Sequence, residues 1–88
     1  MDIDNAVDIS TYIGYATAYN CPKDGIVRMY LRNDSVGTIG LREGVDILRA
    51  TSTVDQPVVM SMPVKKGQGV MVHYNTGGPN EFKYYPYK

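Results

Sequence analysis

The chain has 88 residues, and its nine Lys and Arg balance nine Asp and Glu, so the formal net charge is zero. That balance excludes a broad surface for nucleic acid or acidic membrane. One cysteine excludes an internal disulfide, and one cysteine with one histidine excludes a four-ligand zinc cluster. A domain of this size buries about 60–65% of the surface its unfolded chain exposes, which leaves oligomerisation as its remaining support.

The first ten residues carry Asp2, Asp4 and Asp8 and are expected to form an N-terminal arm or a short ordered extension, 1–10, ahead of a single domain, 11–88. The acidic start Met1-Asp2-Ile3-Asp4-Asn5 lacks a basic segment followed by an apolar one, so it does not read as a signal peptide. No apolar run is long enough for a membrane helix. Synthesis in a cytoplasm is the expectation, in keeping with the single thiol.

Gly and Pro then punctuate the chain at the spacing of a sandwich or barrel. Thr11 to Tyr19 alternates, with Ile13, Tyr15, Thr17 and Tyr19 on one face and Gly14, Ala16 and Ala18 on the other. Asn20-Cys21-Pro22-Lys23-Asp24-Gly25 predicts a turn, because Pro fixes φ and Asp-Gly tolerates the left-handed conformation. Ile26 to Arg32 predicts a strand with Val27, Met29 and Leu31 on one face. Asn33-Asp34-Ser35 ends it. Val36 to Leu41 and Val45 to Ala50 flank Arg42-Glu43-Gly44 and predict a hairpin. A helix over Leu41–Arg49 is the rival, disfavoured by Gly40, Gly44 and the β-branched residues.

After a polar stretch, Val58, Met60, Met62 and Val64 share a strand face, and Pro63 places that end of the strand at an edge or bulge. Lys65 to Gly69 is a turn. Val70, Val72 and Tyr74 alternate with Met71, His73 and Asn75. Thr76 to Asn80 is a loop, and Glu81 to Lys88 closes the chain as a strand. The whole predicts an all-β antiparallel sandwich of about seven strands. Val27, Met29, Leu31, Ile39, Val58, Met60, Met62, Val70, Val72 and Phe82 are expected in or near its core.

No catalytic, cofactor-binding or metal-ligating residue is assigned. His73 lies on a strand face with no nucleophile motif beside it, and Cys21 sits in a turn with no predicted helix N-terminus to lower its pKa. The carboxylates are scattered over the arm, turns and strand ends. Neither Gly37-x-x-Gly40 nor Gly67-x-Gly69 precedes a predicted helix, so neither implies a phosphate site.

The concentrated feature is Tyr84-Tyr85-Pro86-Tyr87-Lys88, in a chain with eight Tyr, one Phe and no Trp. Two readings are open. Tyr84 joins the core while Tyr85 and Tyr87 pack against a neighbouring subunit, or the rings stack on sugars or bases. In the first reading Tyr15, Tyr19, Tyr84, Tyr85 and Tyr87 form the candidate subunit interface, and Asp2, Asp4 and Asp8 form a contacting arm.

Cys21-Pro22-Lys23-Asp24-Gly25-Ile26-Val27 and Pro63-Val64-Lys65-Lys66-Gly67-Gln68-Gly69-Val70-Met71-Val72-His73-Tyr74 are followed by Gly77-Gly78 and Phe82-Lys83-Tyr84-Tyr85. Over roughly residues 11–88 this succession resembles small β-sandwich modules of bacteriophage virion proteins. Cys21 stands where those modules usually carry Ala, and Gln68 where they carry Asp. The resemblance implies a jelly-roll-like, trimeric module of tail fibres, head fibres or capsid surfaces, with no catalytic residues. Its leading implication is a non-enzymatic, homotrimeric capsid decoration, or cement, protein on the virion surface. The partners would be its own copies and the major capsid protein or another virion protein, with no cofactor, nucleic acid or membrane insertion. One alternative is a fibre-tip module that binds a host-surface glycan. The other is a carbohydrate-binding module using Tyr85, Tyr87 and, as an optional member, His73 as a platform on which sugars stack.

Overall fold

The computed structural model describes residues 2–13, 18–42, 46–75 and 80–88, the side chains of Asp46 and Ile47 excepted. A short 3-10 turn, Ile3–Asn5, precedes eight strands: β1 Val7–Asp8, β2 Tyr19–Asn20, β3 Gly25–Leu31, β4 Val36–Leu41, β5 Asp46–Thr51, β6 Val58–Val64, β7 Gly69–Asn75 and β8 Glu81–Pro86. They form two four-stranded sheets, a front sheet in the order β1-β8-β3-β6 and a back sheet in the order β2-β7-β4-β5. Every pairing is antiparallel. The expected all-β antiparallel architecture is the one the chain adopts.

Strand alternation sets the core. In β3, Gly25, Val27, Met29 and Leu31 are buried while Ile26, Arg28 and Tyr30 face outward and are half-buried. Ile39 from β4, Val70 and Val72 from β7, and Phe82 and Tyr84 from β8 meet them between the sheets. Gly37 faces the same interior. A Cβ there would lie 2.7 Å from Met29 Sδ and 2.9 Å from Leu31 Cδ2, so the two sheets approach over a residue with no side chain. Val58, Met60 and Met62, expected in or near the core, are half-buried because β6 is the edge of the front sheet, and Met60 and Met62 pack against the core. Pro63 lies on that same edge strand, where a missing N–H is tolerated. β4 and β5 pair as the expected hairpin, with an irregularity between Ile39 and Gly40.

Of the two forms expected for the N-terminal segment, the ordered extension is the one observed. The Asp2 amide donates to the Pro86 carbonyl (2.6 Å), Val7 and Asp8 pair with Tyr84 and Lys83, and the Ile9 amide donates to the Phe82 carbonyl (2.9 Å). Ile9 is fully buried. Residues 7–9 are therefore an eighth strand and its continuation, covering the edge of β8. An exposed edge carries unpaired backbone groups, and a short segment of its own chain satisfies them. The strand expected over Thr11–Tyr19 is observed only at Tyr19–Asn20. Tyr12 instead accepts from the Val72 amide at 3.0 Å, outside any ladder. Gly14 to Thr17 lie outside the described residues.

Tyrosine enters the core further than its hydroxyl suggests. Tyr12, Tyr19 and Tyr84 form a continuous aromatic row, with ring centroids 5.2 Å and 5.5 Å apart, and Tyr74 stacks on Phe82 at 4.9 Å. Tyr84 lies inside, Tyr74 is half-buried, and the tips of both reach backbone. Tyr84 Oη donates to the Lys23 carbonyl (2.7 Å) and Tyr74 Oη to the Ser10 carbonyl (3.1 Å).

Candidate functional site

The outer face of the back sheet carries an open concavity. Thr38 in β4 lies opposite His73 in β7 on one side and Arg49 in β5 on the other. One row further along, Val36 lies between Asn75 and Thr51. Directly opposed residues in an antiparallel pair hold their Cβ atoms about 4.5–5.5 Å apart. His73, Thr38 and Arg49 thus form one continuous transverse row. Alternation explains why these residues face out: their neighbours Gly37, Ile39, Leu48 and Val72 are buried. Val36, Thr38, Arg49, His73, Tyr74 and Asn75 line an open groove of about 480 Å³. Arg49, His73 and Asn75 are exposed. The described lining contains no carboxylate. Tyr74 contributes no platform to the groove, since its ring is turned inward onto Phe82.

The outer face of the front sheet is different. Arg28 in β3 lies opposite Lys83 in β8, and Tyr30 opposite Glu81. Arg28, Tyr30, Glu81, Lys83 and Tyr85 line a shallow depression. Lys83 reaches Glu81 at 3.9 Å, with both side chains substantially solvated, so this pair contributes little. Arg32 lies over the Tyr30 ring, 4.7 Å from its centroid.

The residues singled out by sequence fall in separate places. Tyr84 is fully buried within the single chain, which removes it from the surface a neighbour can touch. Tyr19 is half-buried against Tyr12 and Tyr84. Tyr85 is buried at 8% exposure on the outward side of β8. Tyr87 is exposed at 39%, close to where Asp2 pairs with Pro86, and Ile3 is exposed at 67% in that N-terminal segment. Tyr15 lies outside the described residues.

Two of the three arm carboxylates are engaged by their own segment. Asp2 accepts from Asn5 Nδ2 at 2.6 Å, and that hydrogen bond holds its carboxyl below the ordinary range. Asp8 accepts from the Ser10 amide at 2.9 Å, which lowers its carboxyl in the same sense. Asp4 is exposed in the 3-10 turn. Cys21 is buried, and burial pushes its thiol up to about 11, the opposite of what a nucleophile needs. His73 belongs to the groove, whose existence sequence reasoning missed. The groove's members come from three strands, and what could have signalled it was the outward phase of Thr38, Arg49 and His73.

Among the described residues no three His, Cys, Asp or Glu side chains are grouped to hold a metal ion. No helix among them is long and apolar enough to cross a membrane. In comparisons with known proteins, the chain matches no family model, no curated protein and no solved structure.

Proposed function

We propose that this chain is a non-enzymatic structural protein of a bacteriophage particle, a homotrimeric decoration protein on the capsid surface. The strand order carries the reading. The succession β1-β8-β3-β6 facing β2-β7-β4-β5 is compatible with an eight-stranded jelly roll, the double Greek-key arrangement used by viral capsid and lectin domains, and this supports the reading.

The two motifs behind the virion resemblance also form one structural unit. Cys21 donates its amide to the Gln68 carbonyl (2.9 Å) and accepts from the Gly67 amide (2.8 Å). The Lys66 amide donates to Asp24 Oδ1 at 2.8 Å. Turn residues that meet across more than forty positions of sequence support a shared scheme of the fold over a chance run of glycines and lysines. Within this reading Tyr87 and Ile3 supply the apolar contact between copies.

Native mass spectrometry tests the assembly: three copies of the 9.8 kDa chain give about 29 kDa. A single chain at micromolar concentration would overturn the trimer. The fibre-tip alternative draws its support from the polar groove of the back sheet.

A further inference from the structure

We propose that the groove on the back sheet is a binding site for a carboxylate-bearing sugar. The inference is independent of the virion reading and goes beyond it. It also differs from sugar stacking on the C-terminal tyrosines, because Tyr85 and Tyr87 are not among the described residues that line the groove.

The chemistry of the lining selects the ligand. Arg49 presents a planar fork of N–H donors that matches a carboxylate and carries a permanent charge. No acidic side chain among the described residues lies within salt-bridge distance of it. A cation on an open face with no acidic partner among the described residues can take an external anion. The remaining groups are of another kind. The Thr38 hydroxyl and the Asn75 amide both donate and accept, which is what the hydroxyls of a sugar require. The His73 imidazole, on the far side of Thr38 from Arg49, adds a ring nitrogen to the same row.

One fixed cation at one end of a row of donor–acceptor groups reads a molecule with one carboxylate and several hydroxyls. A purely acidic peptide would leave the hydroxyl-matching groups without partners, and a neutral sugar would leave Arg49 without one. At about 480 Å³ the groove has the capacity of a small-ligand site. The site is built on three hydrogen-bonded strands, so its side chains are held by the sheet and not by loops.

The test is a titration of the intact, isotope-labelled protein followed by two-dimensional NMR. The probes are a glucuronic-acid-containing disaccharide, a glucose disaccharide and a triglutamate peptide. The proposal expects shifts centred on Thr38, Arg49, His73 and Asn75 with the acidic sugar, and at least tenfold weaker binding of the other two. It further expects Arg49→Gln to lose about tenfold or more in affinity for the acidic sugar, the scale of one charge-assisted hydrogen bond, with an otherwise unchanged spectrum. Thr38→Val tests the hydroxyl separately. Absence of shifts, shifts on the front sheet, or equal binding of the glucose disaccharide or the peptide would each overturn the assignment. None of these results bears on the copy number of the native protein.

Discussion

Replacing Tyr84 by Phe removes one hydroxyl and leaves the ring. That hydroxyl donates to the Lys23 carbonyl at 2.7 Å, at a site water can partly reach. The cost should be about 0.5–1.5 kcal/mol, the usual net value of such a bond. Tyr84→Ala also removes a fully buried ring that touches Tyr19 and leaves a void between the sheets. That change should cost about 3–5 kcal/mol, a large share of the roughly 5–15 kcal/mol that holds a domain together. Urea unfolding followed by far-ultraviolet circular dichroism reads both. With a slope of about 1–3 kcal/mol per molar, Tyr84→Phe lowers the midpoint by several tenths of a molar or more. Native mass is measured on the Phe variant at the same protein concentration. A core tyrosine changes stability and leaves the number of subunits alone. If Tyr84→Phe left the midpoint unchanged and altered the native mass, the placement of this ring in the core would be refuted.

Two glycines face crowding of different kinds. A Cβ on Gly25 would collide with the Tyr85 carbonyl oxygen and lie 3.0 Å from Pro86 Cα, both backbone, whereas at Gly37 the nearest atoms are the ends of Met29 and Leu31. Gly37→Ala should cost about 1–3 kcal/mol and Gly25→Ala more; equal or negligible losses in thermal unfolding would contradict the geometry. Alkaline pH should destabilise the protein. Burial raises Cys21 from 9.0 to about 11 and raises Tyr19 and Tyr84 above 10.0. The folded state therefore holds these protons more tightly than the unfolded chain. The stability this gives is complete below about pH 9 and is lost as pH rises through about 11. Cys21→Ala should reduce the loss between those limits in urea titrations; a wild-type midpoint unchanged from pH 8 to pH 11 would disprove it. The same burial predicts that a thiol reagent labels Cys21 at the rate of global or local opening, far below that of a free thiol, and rapid labelling at pH 8 would speak against it.

Much of the sandwich was legible because its strands obey a period of two. Val27, Met29, Leu31, Ile39, Val70, Val72 and Phe82 all occupy the core their alternation predicts. Edge position cannot be read from alternation, which is why Val58, Met60 and Met62 are half-buried despite an equally regular pattern. Val7 and Ile9 were hidden by three aspartates and by the shortness of β1, whose stability comes from β8 and not from its own sequence. Ser35 and Ser52 illustrate a further limit. Each is buried, and the Ser35 amide donates to Ser52 Oγ at 3.0 Å while the Ser52 amide donates to the Ser35 carbonyl at 2.8 Å, a pairing across the β4–β5 hairpin that neither residue announces. Tyr84 joins the core as one sequence reading had it, but the carbonyls that its hydroxyl and that of Tyr74 reach lie in loops, at Lys23 and Ser10, that composition does not locate. The groove required knowing which strands are neighbours. His73, Thr38 and Arg49 are far apart in sequence and adjacent only once β7, β4 and β5 are laid side by side.

The decoration reading is tested most directly on the particle. Phage particles released by cells whose genome encodes the chain would be imaged by electron microscopy after labelling with an antibody raised against the folded protein. The account predicts label distributed over the head surface. Label confined to the tail tip, or intact particles carrying none, would contradict it.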